Sequence, residues 1–443
     1  MNTSEIAHRI SDDLSRHYDE VAILLNQKEN VMVKLWNTEP SVVQSWFDTE
    51  ITVRLAKSGR LLILGFTTRD PEQVIGIGKK IIEYADKIDV SEIYSPLPEN
   101  VKCSPIQDVY DHNIEKYMDD PSSLVDSIVD QATSYGVDRV AGTVTLGKFN
   151  RILVTSKGYE CSETKTSIIA YARAFKGEFS GHWAYGSTRV DYNKIKEVGE
   201  KAGKYATLTK SRVELIPGKY RIAISPLVAG NLFNYIARMA SALWVLIGFS
   251  FFGRYKPGDK VSNEQLSLFD KPRDSLLPGG AGFDDEGVET FDKPIIENGI
   301  MKTLLFNNGI ASILGTKSTG NAGWIMPSPW NIEVSMKSDL NEDELVEELK
   351  EGLIITNNWY TRLQNYYEGV FSTVSRDIAL VVRNGEIVGD AGRVRIASNF
   401  PHFLSNIEFA TSKSYDISWW EVSLPTRTPY LVVKDVMVTK PEA

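Results

Sequence analysis

Apolar residues recur along this chain in two rhythms, and the change from one to the other marks its elements. Ile6, Ile10 and Leu14 return every fourth residue behind Thr3 or Ser4, which predicts a hydroxyl-capped helix. Ile51, Val53 and Leu55 alternate, so residues 51–55 are expected as a strand, as are 31–36. Ser58-Gly59 turns the chain into a further strand over 61–66. Aspartate followed by proline opens a helix at Asp70-Pro71, running to about residue 89, and another at Asp120-Pro121, which Gly136 can close. Several strands follow between 140 and 174, with turns expected at Gly147, 156–158 and Glu163. Residues 177–183 read as an irregular aromatic loop, and 191–207 as an amphipathic helix whose alternating charges form a solvated face.

Pro217-Gly218 is the best boundary, just before a strand at 219–225. From 222 to 253 only Arg238 is charged, which predicts a buried helix from 227 to about 244, then a core strand or turn. Serines, glycines and that central arginine argue against a membrane span, which needs about twenty apolar residues. Further on, a glycine-rich acidic loop from Ala281 leads to a hairpin. There Ile295-Ile296 meets Asn298-Gly299, suited to a type I′ turn, and 301–306 returns. A second glycine-rich loop follows over 315–323. Asn341 caps a helix with Leu345 and Leu349 inward and Gly352 at its end. Residues 359–367 form an aromatic loop of the kind that covers a peptide groove, and Asn384-Gly385 makes a second strong hairpin. Trp419-Trp420 suits core packing or a partner surface. The expected fold is α+β: an N-terminal mixed α/β domain (1–215, with a possible subdivision near 137), then a β-rich C-terminal domain (216–443) around a buried helix.

A chain of 443 residues exceeds one typical core, in keeping with two domains. Its net charge of −9 argues against nucleic acid bound through a broad basic face. Cys103 and Cys161 are the only cysteines and form no CxxC, so neither a disulfide framework nor a thiolate zinc site is indicated. No secretory signal is visible, and a reducing cytoplasm is the expected location. The Gly76 to Lys80 stretch lacks the spacing and hydroxyl of a phosphate loop. His8 and His17 fall on opposite faces of one helix, while His112, His182 and His402 are isolated. Asp284, Asp285 and Glu286 are adjacent carboxylates, able to hold a hard cation, act as an acid/base pair, or cap turns.

Phe283-Asp-Asp-Glu-Gly-Val288, Glu297-Asn-Gly299 and Lys317-Ser-Thr-Gly-Asn-Ala322 resemble the signature blocks of the TldD/PmbA family, also called modulators of gyrase. Stretches at 351–356, 383–387 and 396–399 agree, and the resemblance is weak before residue 150 and strong after 215. Catalytic TldD members carry HExxxH on the apolar helix, where two imidazoles hold zinc and the glutamate activates water. Here Asn234 and Tyr235 stand where the first His and the Glu would be, and Met239 where the second His would be. No histidine occurs between His182 and His402, so no shift of alignment restores the motif. The resemblance therefore implies a TldE/PmbA-type subunit with no metal, cofactor or catalytic residue of its own. It would belong to a cytoplasmic TldD/TldE metalloprotease that trims or degrades unfolded peptides, with zinc in the TldD-type partner. This chain would supply dimer surface and part of the substrate channel; the alternative is a homodimeric peptide-binding protein. Candidate channel or loop residues are Asp284, Asp285, Glu286 and Gly287, then Ser318, Thr319, Gly320 and Asn321, then Trp359, Tyr360 and Tyr366. Gly287 is expected at positive φ. Val370 stands at a position that is acidic in the bacterial pattern.

Overall fold

Two-residue alternation carries the first half of the chain into long antiparallel strands. The computed structural model describes residues 3–76, 81, 84, 87–99 and 101–440. Within it β1 (Glu20–Trp36), β2 (Glu39–Lys57), β3 (Arg60–Thr68), β4 (Arg139–Thr155), β5 (Glu160–Lys176) and β6 (Phe179–Ser187) form one sheet, ordered β3-β2-β1-β4-β5-β6. One face of this sheet is apolar. Val21, Ile23 and Leu25 pack there on Ile6, Ile10 and Leu14 of the helix Thr3–Leu14. Val144, Leu146, Ala170 and Ala172 continue the same face beneath the helices Ser122–Thr133 and Tyr192–Thr207.

Several expectations change here. Gly147 and Glu163 do not turn the chain; β4 and β5 run straight through them and turn only at 156–158. Gly147 is tolerated within the strand because a Cβ there would come 2.7 Å from the Phe149 ring. From Phe179 the presumed aromatic loop is β6, buried along its whole length, so it shows no alternation to read. The helix Tyr192–Thr207, capped by Asp191, is amphipathic: Tyr192, Asn193 and Glu200 are exposed, while Ile195, Val198, Ala202 and Ala206, and with them the charged Lys201, are buried. Gly199 sits so close to the neighbouring helix that a Cβ would lie 2.1 Å from the Ile128 carbonyl, and Lys201 is ion-paired with Glu342. At Asp70-Pro71 the structure starts with a 3-10 turn, Pro71–Val74; of the longer helix expected there, 77–80 (part of the glycine-lysine stretch), 82–83 and 85–86 lie outside the described residues. Cys103 and Cys161, expected to be unpaired, are joined as a disulfide with Cα atoms 5.3 Å apart. Fifty-eight residues separate them in sequence, so only the folded path brings them together.

The second half contains β7 (Gly218–Ile224), β8 (Leu266–Asp270), β9 (Lys293–Glu297), β10 (Ile300–Met301), β11 (Ile332–Met336), β12 (Gly352–Asn365), β13 (Val370–Arg383), β14 (Glu386–Asp390), β15 (Arg395–Asn399), β16 (Ile407–Ala410), β17 (Tyr415–Trp419), β18 (Val422–Thr428) and β19 (Leu431–Thr439). One sheet runs β10-β9-β8-β11-β18-β17. In the other, β12, β7, β19, β15 and β13 pair in turn and β13 returns to β12, a closed ring of five strands without free edges among them. Against these sheets lies the helix Pro226–Met239, capped by Ser225, whose Leu232, Phe233 and Ile236 fill the main core. It stops at Met239, and a separate short helix, Ala242–Leu246, follows. Both Asn-Gly turns have the positive φ pair of a type I′ hairpin: 49° and 79° at Asn298-Gly299, 51° and 75° at Asn384-Gly385. The first hairpin's return strand is only β10, shorter than the expected 301–306. Leu345–Leu349 is helical after a 3-10 turn, and Lys350, at φ 58°, ends it ahead of Gly352. The aromatic stretch after 359 is not a loop: through Asn365 it belongs to β12, paired with β13 across a register shift at Tyr360. Trp419 is buried and Trp420 exposed. The architecture is α+β, as expected.

Candidate functional site

Strand geometry decides which side chains share the second face of the N-terminal sheet. Lys28, Phe149 and Lys165 lie in one row across β1, β4 and β5, and Asn26, Arg151 and Glu163 in the next. The loop 278–285 from the second half comes down over these rows. Between them is a cleft of about 510 Å³, with Trp330 and Pro425 on its far wall.

Arg151 joins the two halves. It donates to the Phe283 carbonyl (2.7 Å) and to Asp285 Oδ1 (2.6 Å), lies 3.6 Å from Glu163 Oε1, and sits over the rings of Phe283 and Trp330 at 4.8 and 5.3 Å. Glu163, buried inside a strand, is kept there by this guanidinium and by the Gly282 amide, which donates to its Oε2 at 2.7 Å. Gly282 can deliver that amide because it has no Cβ; one would stand 2.4 Å from the Ser104 carbonyl. Lys165 is placed differently. Its ammonium donates to the Gly280 carbonyl at 2.5 Å, and no carboxylate pairs with it among the described residues. Burial brings it down to about 8; Glu163 opposes that fall, while Arg151 and Lys28 add to it.

The acidic triplet divides its roles. Asp284, fully buried, accepts from the amides of Glu286 (3.0 Å), Val288 (2.9 Å) and Ala322 (2.9 Å), so one carboxylate shapes its own turn and clamps the second glycine-rich loop against it. Asp285 faces the cleft and holds Arg151. Glu286 accepts from the backbone and side-chain nitrogens of Asn308 at 2.9 and 2.7 Å. Burial pushes all three carboxyls above the usual carboxylate range. Gly287 has φ 83°, and a Cβ there would lie 2.8 Å from the Tyr159 ring. Thr319 accepts from the Phe306 amide, Ser318 donates to the Phe306 carbonyl, Asn321 donates to buried Asp270, and the Gly320 carbonyl accepts from Trp330 Nε1 at 2.9 Å, fixing the cleft's far wall. Trp359, Tyr360 and Tyr366 lie elsewhere, on the β12–β13 arm: Arg376 and Arg393 cover the Trp359 ring, and Tyr366 packs on Trp244 and Phe249. None of the three lines this cleft.

On the helix Pro226–Met239, Asn234 donates to the Leu424 carbonyl (3.0 Å) and Thr426 Oγ1 (2.8 Å) and accepts from the Leu424 amide (2.8 Å). Tyr235 donates to the Thr361 carbonyl at 3.1 Å, and Met239 is wholly buried. Asn234, Tyr235, Arg238, Trp420 and Glu421 border a second pocket of about 280 Å³, and Ser423 lines both pockets. Burial lowers the Arg238 guanidinium and raises the Glu421 carboxyl. His182 is buried between Tyr171 and Trp419, and burial depresses it to about 3. His8 and His112 each pair with a glutamate at the surface.

Residues 217–440 match the sequence profile of the PmbA/TldA metallopeptidase C-terminal domain. The chain belongs to the PmbA/TldD metallopeptidase family. It is similar to a protein named metalloprotease from Methanothermobacter thermautotrophicus, 24% identical over 299 residues, which are 65% of this chain and 63% of that protein. A metalloprotease of Methanocaldococcus jannaschii is 24% identical over 442 residues, 90% of this chain and 91% of its own length. The crystal structure of TldE from Thermococcus kodakarensis shares the fold, with a TM-score of 0.84 at 19% identity, covering 98% of this chain and all of that one.

For a PmbA/TldD protein the question is whether the motif helix fits zinc, and its residues do not. Asn234 is held on both sides by β18, Tyr235 is turned to β12, and Met239 is packed in the core. Among the described residues no group of three or more His, Cys, Asp or Glu side chains is arranged to hold a metal ion. Reading the sequence alone passes over Arg151, Glu163 and Lys165. The available signal is charge at alternate positions 163 and 165 within an otherwise strand-like run.

Proposed function

We propose that this chain is the metal-free, TldE/PmbA-type subunit of a TldD/TldE metalloprotease acting on unfolded peptides in the cytoplasm. Zinc and the water-activating glutamate belong to the TldD-type partner. This chain supplies dimer surface and part of the peptide channel. The observation that carries the reading is the motif helix: each of its three motif positions is committed to hydrogen bonds or packing within the chain, and none offers an imidazole or carboxylate. Family membership supports the wider class, and the absence of any helix long and apolar enough to cross a membrane, among the described residues, is compatible with the location. Only interactions made in the transition state accelerate a reaction, and hydrolysis needs a group to activate water. Pure protein with added zinc should therefore leave peptides intact. Adding a TldD-type chain should give cleavage, abolished when the partner's motif glutamate is replaced by glutamine while the complex stays assembled. Chelator-sensitive cleavage by the pure chain, lost on mutating one of its own residues, would overturn the assignment. Tight self-association without capture of a TldD-type chain would favour a homodimeric peptide-binding protein.

A further inference from the structure

The interdomain cleft was built for something that the motif helix does not provide. Its walls are apolar at Leu24, Phe149, Ile169, Trp330 and Pro425, yet its floor carries charge. Of the three cations there, Lys28 is paired with Glu50 at 2.7 Å and Arg151 with Asp285 at 2.6 Å. Lys165 alone of these three has only a carbonyl, at Gly280, for a partner. Lys165 thus has no direct ion pair, its charge being offset only at longer range by Glu163, and a ligand anion would pair with it directly.

Resting on the reading of this chain as a peptide-binding subunit, we propose that the cleft receives a peptide carboxylate on the Lys165 ammonium, with an adjoining apolar side chain between Phe149 and Trp330. The chemistry is that of a C-terminal carboxylate or an acidic side chain beside a hydrophobic residue. The volume, about 510 Å³, is in the range of pockets that enclose small ligands. Glu163 on its own strand, Arg151 on β4 and Lys28 on β1 set the response of Lys165 to pH, and Asp285 faces the same cleft from the overlying loop. Glu163 and Asp285 are already engaged by Arg151, which leaves the Lys165 charge available. The ammonium loses its proton through about pH 8, so carboxylate binding should weaken about tenfold between pH 7 and pH 9.

Titration calorimetry on the full chain, without any partner, tests this with acetyl-Ala-Leu-Phe as free acid, the same peptide as C-terminal amide, and acetyl-Ala-Glu-Phe amide. The free acid should bind about tenfold or more tighter than its amide, as expected for a charge-assisted contact. Lys165→Met should erase that preference. Lys165→Arg should retain it and remove the fall between pH 7 and 9, because guanidinium keeps its proton there. Tight binding by the glutamate-containing amide would assign the site to an acidic side chain, and weak binding would assign it to the C-terminus; either supports a carboxylate site. Equal binding of acid and amide by the unmodified protein, no binding by any peptide, or a preference that survives Lys165→Met in a protein that still unfolds cooperatively would overturn it. Because this assay uses the chain alone, its failure is distinct from failure of the cleavage assay with a TldD-type partner.

Discussion

At the motif helix, Asn234 has its donors and acceptor answered by β18, and Asn231 and Tyr235 likewise bond to groups of the chain itself. In the cleft on the other side of Ser423, Lys165 keeps a positive charge that the fold answers with a single carbonyl. One polar site is closed and the other is incomplete. A satisfied buried network stabilises and specifies the core around it, whereas a buried cation without a direct ion pair lowers stability unless something binds it. On the proposed reading, the motif positions serve structure, and peptide recognition would lie at the joint between the two halves.

The comparison can be broken first at the clamp that forms the cleft roof. Asp284→Ala should destabilise the protein by about 3–5 kcal/mol: three buried amides lose their acceptor at about 1–3 kcal/mol each, offset by removing a carboxylate whose ionisation the site already disfavours. Urea unfolding measures this, and a change below about 1 kcal/mol would mean that the loop is not held by this residue. Asn234→Ala should cost about 1–3 kcal/mol of stability while leaving peptide cleavage by the assembled complex unchanged per folded molecule. Loss of cleavage without loss of stability would return the motif helix to the chemistry.

Lys165→Met should act in the opposite sense on stability. A lysine whose folded pKa lies below its unfolded value binds fewer protons when folded, so its cost is full below about pH 8 and disappears toward the ordinary lysine value. The variant should gain about 1–2 kcal/mol at pH 7, reduced by the partial exposure of the side chain, and the gain should fade above pH 8. A loss of stability at pH 7 would mean that Lys165 is fully compensated. The smallest effect is expected at Tyr360, exposed on the β12–β13 arm: Tyr360→Ser should change stability by less than about 0.5 kcal/mol. If peptide cleavage by the complex falls nonetheless, the arm belongs to the channel and the cleft is not its only peptide contact.

Local physics made parts of this protein legible in its residues. Asn-Gly pairs left almost no alternative to type I′ turns, Asn341 marked a helix start, and an uncharged run with one arginine required a buried helix. The absence of histidine between His182 and His402 excludes the HExxxH motif from the residues alone. Other features depended on partners distant in sequence. Glu163 resembles a turn residue until Arg151 and the amide of Gly282, 119 residues away, hold it inside a strand. Lys201 of the helix Tyr192–Thr207 looks solvated until Gly199 brings the helix against another and Glu342 pairs with it. β6 hides its period because both of its faces are covered, and the two cysteines meet only through the folded path. The cleft itself follows the same rule. Lys28, Arg151, Glu163 and Lys165 obey strand alternation, but which of them lacks a direct ion pair depends on the loop 278–285 that brings Asp285 to Arg151 and the Gly280 carbonyl to Lys165, since pairing of buried charge depends on geometry that local pattern does not contain.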